Sequence, residues 1–347
     1  MAAKTLAIKY RPKTWDDVME QDSIKIILKQ QLESGEIKNA YLFCGGAGTG
    51  KTTCARIFAN EINKGQGNPI EMDAASNSGV EDVRSISQQA KMKALDAEYK
   101  IFIIDECHAI SNTGWQAFLK LIEEPPAKTI FIFATTDPQK IPKTILSRVQ
   151  RYDFKRISEQ GIVDRLRFIL ESEFEEIGHT HGIQFEDEAL EYIAKIAEGG
   201  MRDAITLMDK CLSFSSELTL ENVVKALGTV DYEVMKELTD AIITKTEKQV
   251  ISIVEDVHAS GKDIKQFITQ YTKFLLDIQK YAIGCEAYMQ IPKTEDNVDW
   301  LEGMEEEDFD ICIDLLQDVV KLNSSIKWSQ TPKYDLEAVL LLFCETM

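Results

Sequence analysis

The stretch Ala40-Tyr41-Leu42-Phe43-Cys44-Gly45-Gly46-Ala47-Gly48-Thr49-Gly50-Lys51-Thr52 decides how the chain is read. Its first five residues have the length and apolar character of a buried strand, and they run directly into the pattern G-x-x-x-x-G-K-[ST]. Glycines let the backbone curl until its N–H groups point inward, and the dipole of the helix predicted from Thr52 to Asn60 favours negative charge at its start. Gly45, Gly46, Ala47, Gly48, Thr49 and Gly50 are therefore expected to cradle the phosphates of a nucleoside triphosphate. Lys51 would reach the terminal phosphates. Thr52 would offer its hydroxyl to Mg²⁺, an ion that keeps several waters and shares its remaining ligands between protein and phosphate oxygens.

A second element answers the first. Ile101-Phe102-Ile103-Ile104 reads as another buried strand and ends in Asp105-Glu106, at the edge where open parallel sheets place their ligands. Asp105 is expected to hold Mg²⁺ through water, and Glu106 to orient and deprotonate an attacking water.

Outward from these motifs, residues 1 to about 155 alternate apolar strands with amphipathic helices, the pattern of a parallel sheet covered on both faces. The strands are predicted at Ala40–Cys44, Ile70–Asp73, Ile101–Ile104, Ile130–Ala134 and Gln150–Phe154. From about 156 to 228 the period is helical, with breaks at Gly178 and Gly199-Gly200; helices continue from about 231, interrupted by an acidic stretch from Glu286 to Asp308 read as a loop or short helices.

Composition sets the class. The chain of 347 residues has a net charge of −19, but residues 1 to 155 carry 21 basic against 19 acidic side chains, while the remainder carries 18 against 39 and has no arginine after Arg202. A polyanion would therefore meet the first part of the chain, and the acidic remainder suits protein contacts. No run approaches the roughly 18 apolar residues of a membrane span, and the N-terminus lacks the apolar core of a signal peptide, so a soluble, cytoplasmic protein without membrane partners is expected. The seven cysteines form no C-x-x-C pair, and the two histidines of His179-Thr180-His181 are too few for a metal site.

Three features are not explained by packing. In the helix predicted from Thr113 to Glu124, an apolar stripe of Trp115, Phe118, Leu119 and Ile122 leaves Lys120 off the core face before Pro125-Pro126 ends the helix. After Gly199-Gly200 the stripe is Met201, Ala204, Ile205 and Met208, so Arg202 points elsewhere, at a helix start where only a nearby anion would favour it. Ser78-Gly79-Val80-Glu81 matches a capping box that opens a helix whose free N–H groups could take a phosphate, with Arg84 one turn on.

Lys9-Tyr10-Arg11-Pro12 with Trp15 and Val18, the phosphate loop, Asp73-Ala74-Ala75-Ser76, Ile104-Asp105-Glu106-Cys107-His108, Leu121-Ile122-Glu123-Glu124-Pro125-Pro126, Ala134-Thr135-Thr136-Asp137-Pro138-Gln139-Lys140 and Ile145-Leu146-Ser147-Arg148 occur in this order. Together they resemble the gamma/tau subunits of bacterial DNA polymerase III, which are AAA+ clamp-loader ATPases. The resemblance is dense over residues 4 to 156, recognisable through Gly199–Asp209 and Gly228, and weak beyond. It implies an α/β P-loop AAA+ domain over 1–155, a small helical lid domain over 156–228 and an all-helical collar domain over 229–347 that holds subunits together. It further implies a pentameric assembly of related subunits that uses ATP and Mg²⁺ to open a ring-shaped sliding clamp and closes it around primer-template DNA upon hydrolysis.

Carried over by the same resemblance, Thr136 or its neighbour Thr135 would sense the γ-phosphate, Arg202 would be the second sensor, and Arg148 an arginine finger reaching the ATP of the adjacent subunit. Arg11 and Val18 would lie near adenine, and Lys120 with the Ser78–Gly79 helix start and Arg84 would face DNA phosphates. Such contacts position a duplex without reading its sequence.

The chain departs from the family pattern in three places. Only Asn63 to Pro69 stands where relatives carry a four-cysteine zinc module, so no zinc is expected; Val149 replaces the cysteine that follows the finger arginine; and Asn77-Ser78-Gly79 stands where relatives place basic side chains. The end at Met347 suggests a core loader without the polymerase- and helicase-binding extension, as in a compact phage-encoded form. A branch-migration or remodelling AAA+ motor, and a non-hydrolysing structural subunit, are the competing readings. The intact Glu106 and Arg148 speak against the latter.

Overall fold

The computed structural model describes residues 5–76, 79–92, 96–177, 184–227 and 231–346. By contact density the chain divides into two compact units, Met1–Gly182 with Ile193–Asp209, and Ile183–Tyr192 with Lys210–Met347.

The first unit holds a five-stranded sheet: β1 Ala40–Cys44, β2 Ile70–Asp73, β3 Lys100–Asp105, β4 Thr129–Thr135 and β5 Gln150–Asp153, in the order β2-β3-β4-β1-β5 with every pairing parallel. Central strands of such a sheet are covered on both faces, which is why β1 and β4 are buried at every position and read as continuous apolar runs. Helices α1 Leu6–Lys9, α2 Asp22–Ser34, α3 Lys51–Ile62, α4 Val80–Ala90, α5 Asn112–Glu123, α6 Lys143–Leu146 and α7 Glu159–Ile177 belong to the same unit. Side chains of a strand alternate between faces, so Tyr41 and Phe43 join the core that includes Phe58 of α3 and Leu28 of α2. Leu42 and Cys44 join the opposite core with Val83 of α4 and Phe118 of α5. In that second core Phe102, Phe131, Phe133, Phe118 and Trp115 pack with centroids 5.3–6.2 Å apart.

Two local readings are corrected. The buried stripe of α5 runs through Trp115, Phe118, Leu121 and Ile122, with Leu119 only partly buried, because Leu121 lies a further three residues along the face that Phe118 begins. At the start of α4 the reciprocal carboxylate is that of Asp82, which accepts the Gly79 N–H at 3.1 Å, rather than that of Glu81: with Gly79 as the cap, the third helical position is 82. Ser78 and His179-Thr180-His181 lie outside the described residues.

The Asn63 to Pro69 connector is held by one side chain. Asn63 is 7% exposed, donates to Tyr99 O and accepts from Tyr99 N, both at 2.9 Å, a two-bond clamp that ties the end of α3 to the entry of β3.

Helices α8 Asp187–Ile196 and α9 Met201–Phe214 each contribute residues to both units. The second unit continues with α10 Leu220–Leu227, α11 Asp231–Ile243, α12 Glu247–Ala259, α13 Ile264–Ala282, α14 Glu295–Glu302, α15 Glu306–Ser325 and α16 Pro332–Thr346. The acidic stretch from Glu286 to Asp308 resolves into a 3₁₀ turn, Glu286–Tyr288, then α14 and the first turn of α15. A single apolar core, with Leu238, Val254, Tyr271, Leu275, Leu315 and Leu340, runs through α11, α12, α13, α15 and α16. Tyr271 is fully buried and its hydroxyl meets Thr239 Oγ1 at 3.0 Å. Asp277 accepts from Lys280 Nζ and from the backbone N–H groups of Gln290 and Ile291, which fixes the chain that follows α13.

Candidate active site

The strand order decides what can meet. β4 lies between β1 and β3, so the loop after β1, the acidic end of β3 and the threonines at the end of β4 emerge side by side along one sheet edge. The Gly45 N–H donates to Thr135 O at 3.2 Å, tying the first loop to that edge.

Gly48 (φ +68°) and Gly50 (φ +97°) hold left-handed backbone that turns successive N–H groups toward one side. A Cβ on Gly48 would also stand 2.9 Å from Gly200 Cα, and Gly48 O accepts the Met201 N–H at 3.1 Å, so the loop and the start of α9 are in direct contact within the first unit. Thr49 Oγ1 closes the loop on Gly46 O at 3.0 Å. Lys51 is 6% exposed, and its ammonium donates to Gly46 O at 2.6 Å and Gly45 O at 2.9 Å. Burial pulls its pKa down, and Glu106 and Asp105 oppose that pull.

Thr52 Oγ1 donates to Asp105 Oδ2 at 2.7 Å, and Asp105 Oδ1 accepts the Glu106 N–H at 2.9 Å. This hydroxyl and carboxylate form a two-oxygen face suited to a hydrated Mg²⁺, which takes one or two protein ligands and completes its shell with water and phosphate. Among the described residues no group of three or more His, Cys, Asp or Glu side chains could hold a metal. The donor set therefore fits a cation shared with a phosphate better than a protein-enclosed ion.

Glu106 sits at φ 46°, ψ 42°, a left-handed position that a residue with a side chain seldom adopts, and Thr136 Oγ1 donates to its Oε2 at 3.0 Å. Thr135 is fully buried and its hydroxyl accepts the Asp137 N–H at 3.0 Å. Of the two threonines, only Thr136 has its hydroxyl on Glu106.

A cavity of about 290 Å³ is lined by Lys51, Thr52, Asp105 and Glu106, by Ala47 to Gly50, and by Arg11, Val18 and Arg202. Burial lowers the pKa of the Arg11 guanidinium, the charges of Arg56 and Arg202 lower it further, and Glu71 and Asp105 oppose them. Arg148 does not line this cavity. It is exposed after α6, where its Nε pairs with Glu123 at 2.8 Å and its Nη1 donates to Thr144 O and Ser147 Oγ. Lys120 and Arg84 are exposed on α5 and α4.

Sequence reading missed Arg165 and Asp17, which also line the cavity. Arg165 is 9% exposed and donates to Tyr10 O at 3.0 Å, holding the segment that carries Arg11. No local signal marks it on a helix rich in charged residues.

A parallel sheet with a phosphate-type loop, an acidic strand end and an arginine-bearing helix against that loop defines the P-loop AAA+ class. The solved structure of the Thermotoga maritima RuvB Holliday junction branch migration motor is similar in fold, with a TM-score of 0.52 and 21% identity over 67% of this chain and 79% of that one. Family models match consecutive stretches: DNA polymerase III, delta subunit, at residues 68–158; the ATPase lid domain of DNA polymerase III clamp loader subunits at 162–217; and domain III of DNA polymerase III subunits gamma and tau at 218–345. The DNA polymerase III subunit tau of Bacillus subtilis is 34% identical over 370 aligned positions, covering 100% of this chain and 64% of the relative. That of Escherichia coli is also 34% identical, over 75% of this chain and 43% of the relative. With these three consecutive matches the chain is gamma/tau-like over residues 68–345, and it spans 64% and 43% of the length of the two relatives.

Proposed function

We propose that this chain is an ATPase subunit of a sliding-clamp loader, acting with other loader subunits in a pentamer in the cytoplasm, at the replication fork. The observation that carries the proposal is the gathering of Lys51, Thr52, Asp105, Glu106 and Arg202 around one cavity, with Arg148 outside its lining and paired with Glu123. A site of this kind is complete only when a neighbour supplies its arginine.

In this reading the loop N–H groups and Lys51 bind the phosphates of ATP, and Arg11 and Val18 flank the adenine. Bound Mg²⁺ would neutralise charge on the phosphate oxygens, held by Thr52 and, through water, Asp105. Glu106 takes the proton of the attacking water, Thr136 senses the terminal phosphate, and Arg202 carries its presence into α9, whose first residue is tied to the loop by the Gly48–Met201 bond. Arg148 stabilises charge spread over the phosphoryl oxygens of the neighbour's ATP, a task for which its planar fork of donors is suited. Glu123 holds it until then. We divide the chain into an AAA+ domain (1–155), a lid (156–228) and a collar (229–347); the end of the first family match at 158 and the start of the lid match at 162 support the first boundary, whereas the match to domain III begins at 218, ahead of the second.

Binding of ATP would open and hold the clamp, and hydrolysis on primer-template DNA would release it closed. Lys120, Arg84 and the Ser78–Gly79 helix start would face the duplex, supported by the exposure of Lys120 and Arg84 and by the near-neutral charge of residues 1 to 155 in an otherwise acidic chain. The likeness to RuvB concerns fold alone, whereas the match of residues 218–345 to gamma and tau domain III favours a loader over a translocating motor. The test is ATP turnover of the assembled complex with and without clamp and primed DNA. Stimulation by both is expected, with DNA dependence falling steeply as salt rises; turnover indifferent to either overturns the reading.

A further inference from the structure

Asp17, Val18 and Met19 form part of the wall of the cavity that holds Lys51. Directly after them stand Glu20 (φ 52°) and Gln21 (φ 57°), two consecutive residues in left-handed backbone. Side-chain-bearing residues seldom adopt that conformation, and it persists where the surroundings impose it.

Both side chains reach the same place, the linker between β5 and α7, 134 and 138 positions along the chain. Gln21 is 8% exposed; its Nε2 donates to Lys155 O at 2.7 Å and its Oε1 accepts the Lys155 N–H at 3.2 Å. The amide thus pairs with a backbone N–H and C=O as a neighbouring strand would. Glu20 Oε1 accepts the Ser158 N–H at 2.9 Å and the Ser158 hydroxyl. On the other side of the wall, Lys25 Nζ donates to Val18 O at 3.1 Å.

The linker is itself anchored. The Phe154 N–H donates to Cys44 O at 2.7 Å, and the Ile157 N–H to Gly199 O at 3.1 Å. A Cβ on Gly199 would stand 2.6 Å from Arg156 Cβ, so the linker lies tight against the turn that precedes α9. Ile157 also lines the cavity, whereas Gln21 does not. The wall formed by residues 17–19 is therefore held from behind, by an amide that does not face the ligand.

We propose that Gln21 is a positioning residue for base recognition, clamping residues 17–19 to the linker 155–158 so that binding of the base, and not of the phosphates, depends on it. This rests on Arg11 and Val18 flanking the adenine, as proposed above. A wall that is in place for only a fraction of the time lowers the apparent affinity of its ligand by that fraction, and a ligand that never touches the wall is spared.

The test is calorimetric binding of Mg²⁺·ATP and of Mg²⁺·tripolyphosphate, which has no base, to the full chain at a temperature where melting curves show every variant folded. Gln21→Ala removes the clamp. Gln21→Glu keeps its shape and the acceptor for the Lys155 N–H, but sets a carboxylate against Lys155 O. Both variants are expected to bind ATP roughly tenfold more weakly, the scale of losing one or two hydrogen bonds, with tripolyphosphate affinity unchanged within about twofold. Wild-type ATP affinity in the two variants, or equal weakening of both ligands, overturns the assignment. A wild-type chain that binds tripolyphosphate as tightly as ATP would instead remove the base contact on which the assignment rests, so the two failures are told apart.

Discussion

Lys51 in the first unit and Asp277 in the second are both charged and almost wholly buried, at 6% and 1% exposure, yet their surroundings differ in kind. Asp277 is met by the Lys280 ammonium and two backbone N–H groups, a set that satisfies a carboxylate from within the chain. Lys51 is met by two carbonyls of a glycine-rich loop and by carboxylates near enough to be felt but not bonded, and burial depresses its pKa. The first arrangement is finished; the second gains by the arrival of an anion. A buried charge marks a binding site when its own chain leaves it under-compensated, and a structural post when it does not.

Exchanging these two residues for alanine gives the largest contrast. Asp277→Ala is expected to destabilise the protein by about 3–5 kcal/mol, because Lys280 and two amides lose their acceptor, with binding of ATP by the remaining folded protein unchanged. Lys51→Ala is expected to shift stability by less than about 1 kcal/mol and to remove nucleotide binding. Melting curves and titration with a fluorescent ATP analogue read both, and a Lys51→Ala protein that binds normally would break the comparison.

Next in size is the acidic edge. Glu106→Gln is expected to lower turnover by about 10²–10⁴ while leaving nucleotide bound, since the amide keeps the bond from Thr136 but cannot take a proton. Single-turnover measurement with bound ATP checks it. In the second unit, Tyr271→Phe should cost about 1 kcal/mol and leave turnover unaltered, because Thr239 keeps its bond to Met235 O when the tyrosine hydroxyl is removed.

The smallest effect concerns thiols, where the units behave alike. Burial pushes Cys44 up to about 11 and Cys54 and Cys312 up to about 12, so these side chains remain protonated at pH 8, whereas Cys285 is only partly buried. Alkylation of the native protein at pH 8 should therefore label Cys285 first. A pKa raised in the folded state contributes stability that is complete below the ordinary thiol value of 9.0 and is lost as pH climbs toward 11 or 12, so melting temperature should begin to fall above about pH 9.

The same contrast explains how much could be read in advance. β1, β3 and β4 were legible because buried parallel strands are continuous apolar runs, whereas the edge strands β2 and β5 are only partly buried and mix apolar with polar residues; the loop was legible because phosphate binding demands glycine and lysine at fixed spacing. Between strands and sites the reading slipped by one face or one residue, as at Leu121 and Asp82, where helical phase depends on where the cap falls. Arg165 was invisible because its role arises from a contact with Tyr10 O, 155 positions away. Which of Thr135 and Thr136 meets Glu106 required coordinates: β4 ends at Thr135, and of the two hydroxyls it is that of Thr136 that reaches the carboxylate. Helices α11 to α16 offered periodicity without a chemical motif, so their arrangement waited on the structure.

The central claim is that the site is finished across a protomer boundary, and it is tested most directly by mixing two defective chains in the assembled complex. Glu106→Gln keeps Arg148 but cannot turn over; Arg148→Ala keeps a whole cavity but offers no finger, a loss expected to be about 10³-fold or more in turnover with binding intact. The mixture is expected to hydrolyse ATP far faster than either variant alone, as intact cavities meet intact arginines. A mixture no faster than the mean of the two, or a strictly monomeric Arg148→Ala chain that turns over at the wild-type rate, would contradict it.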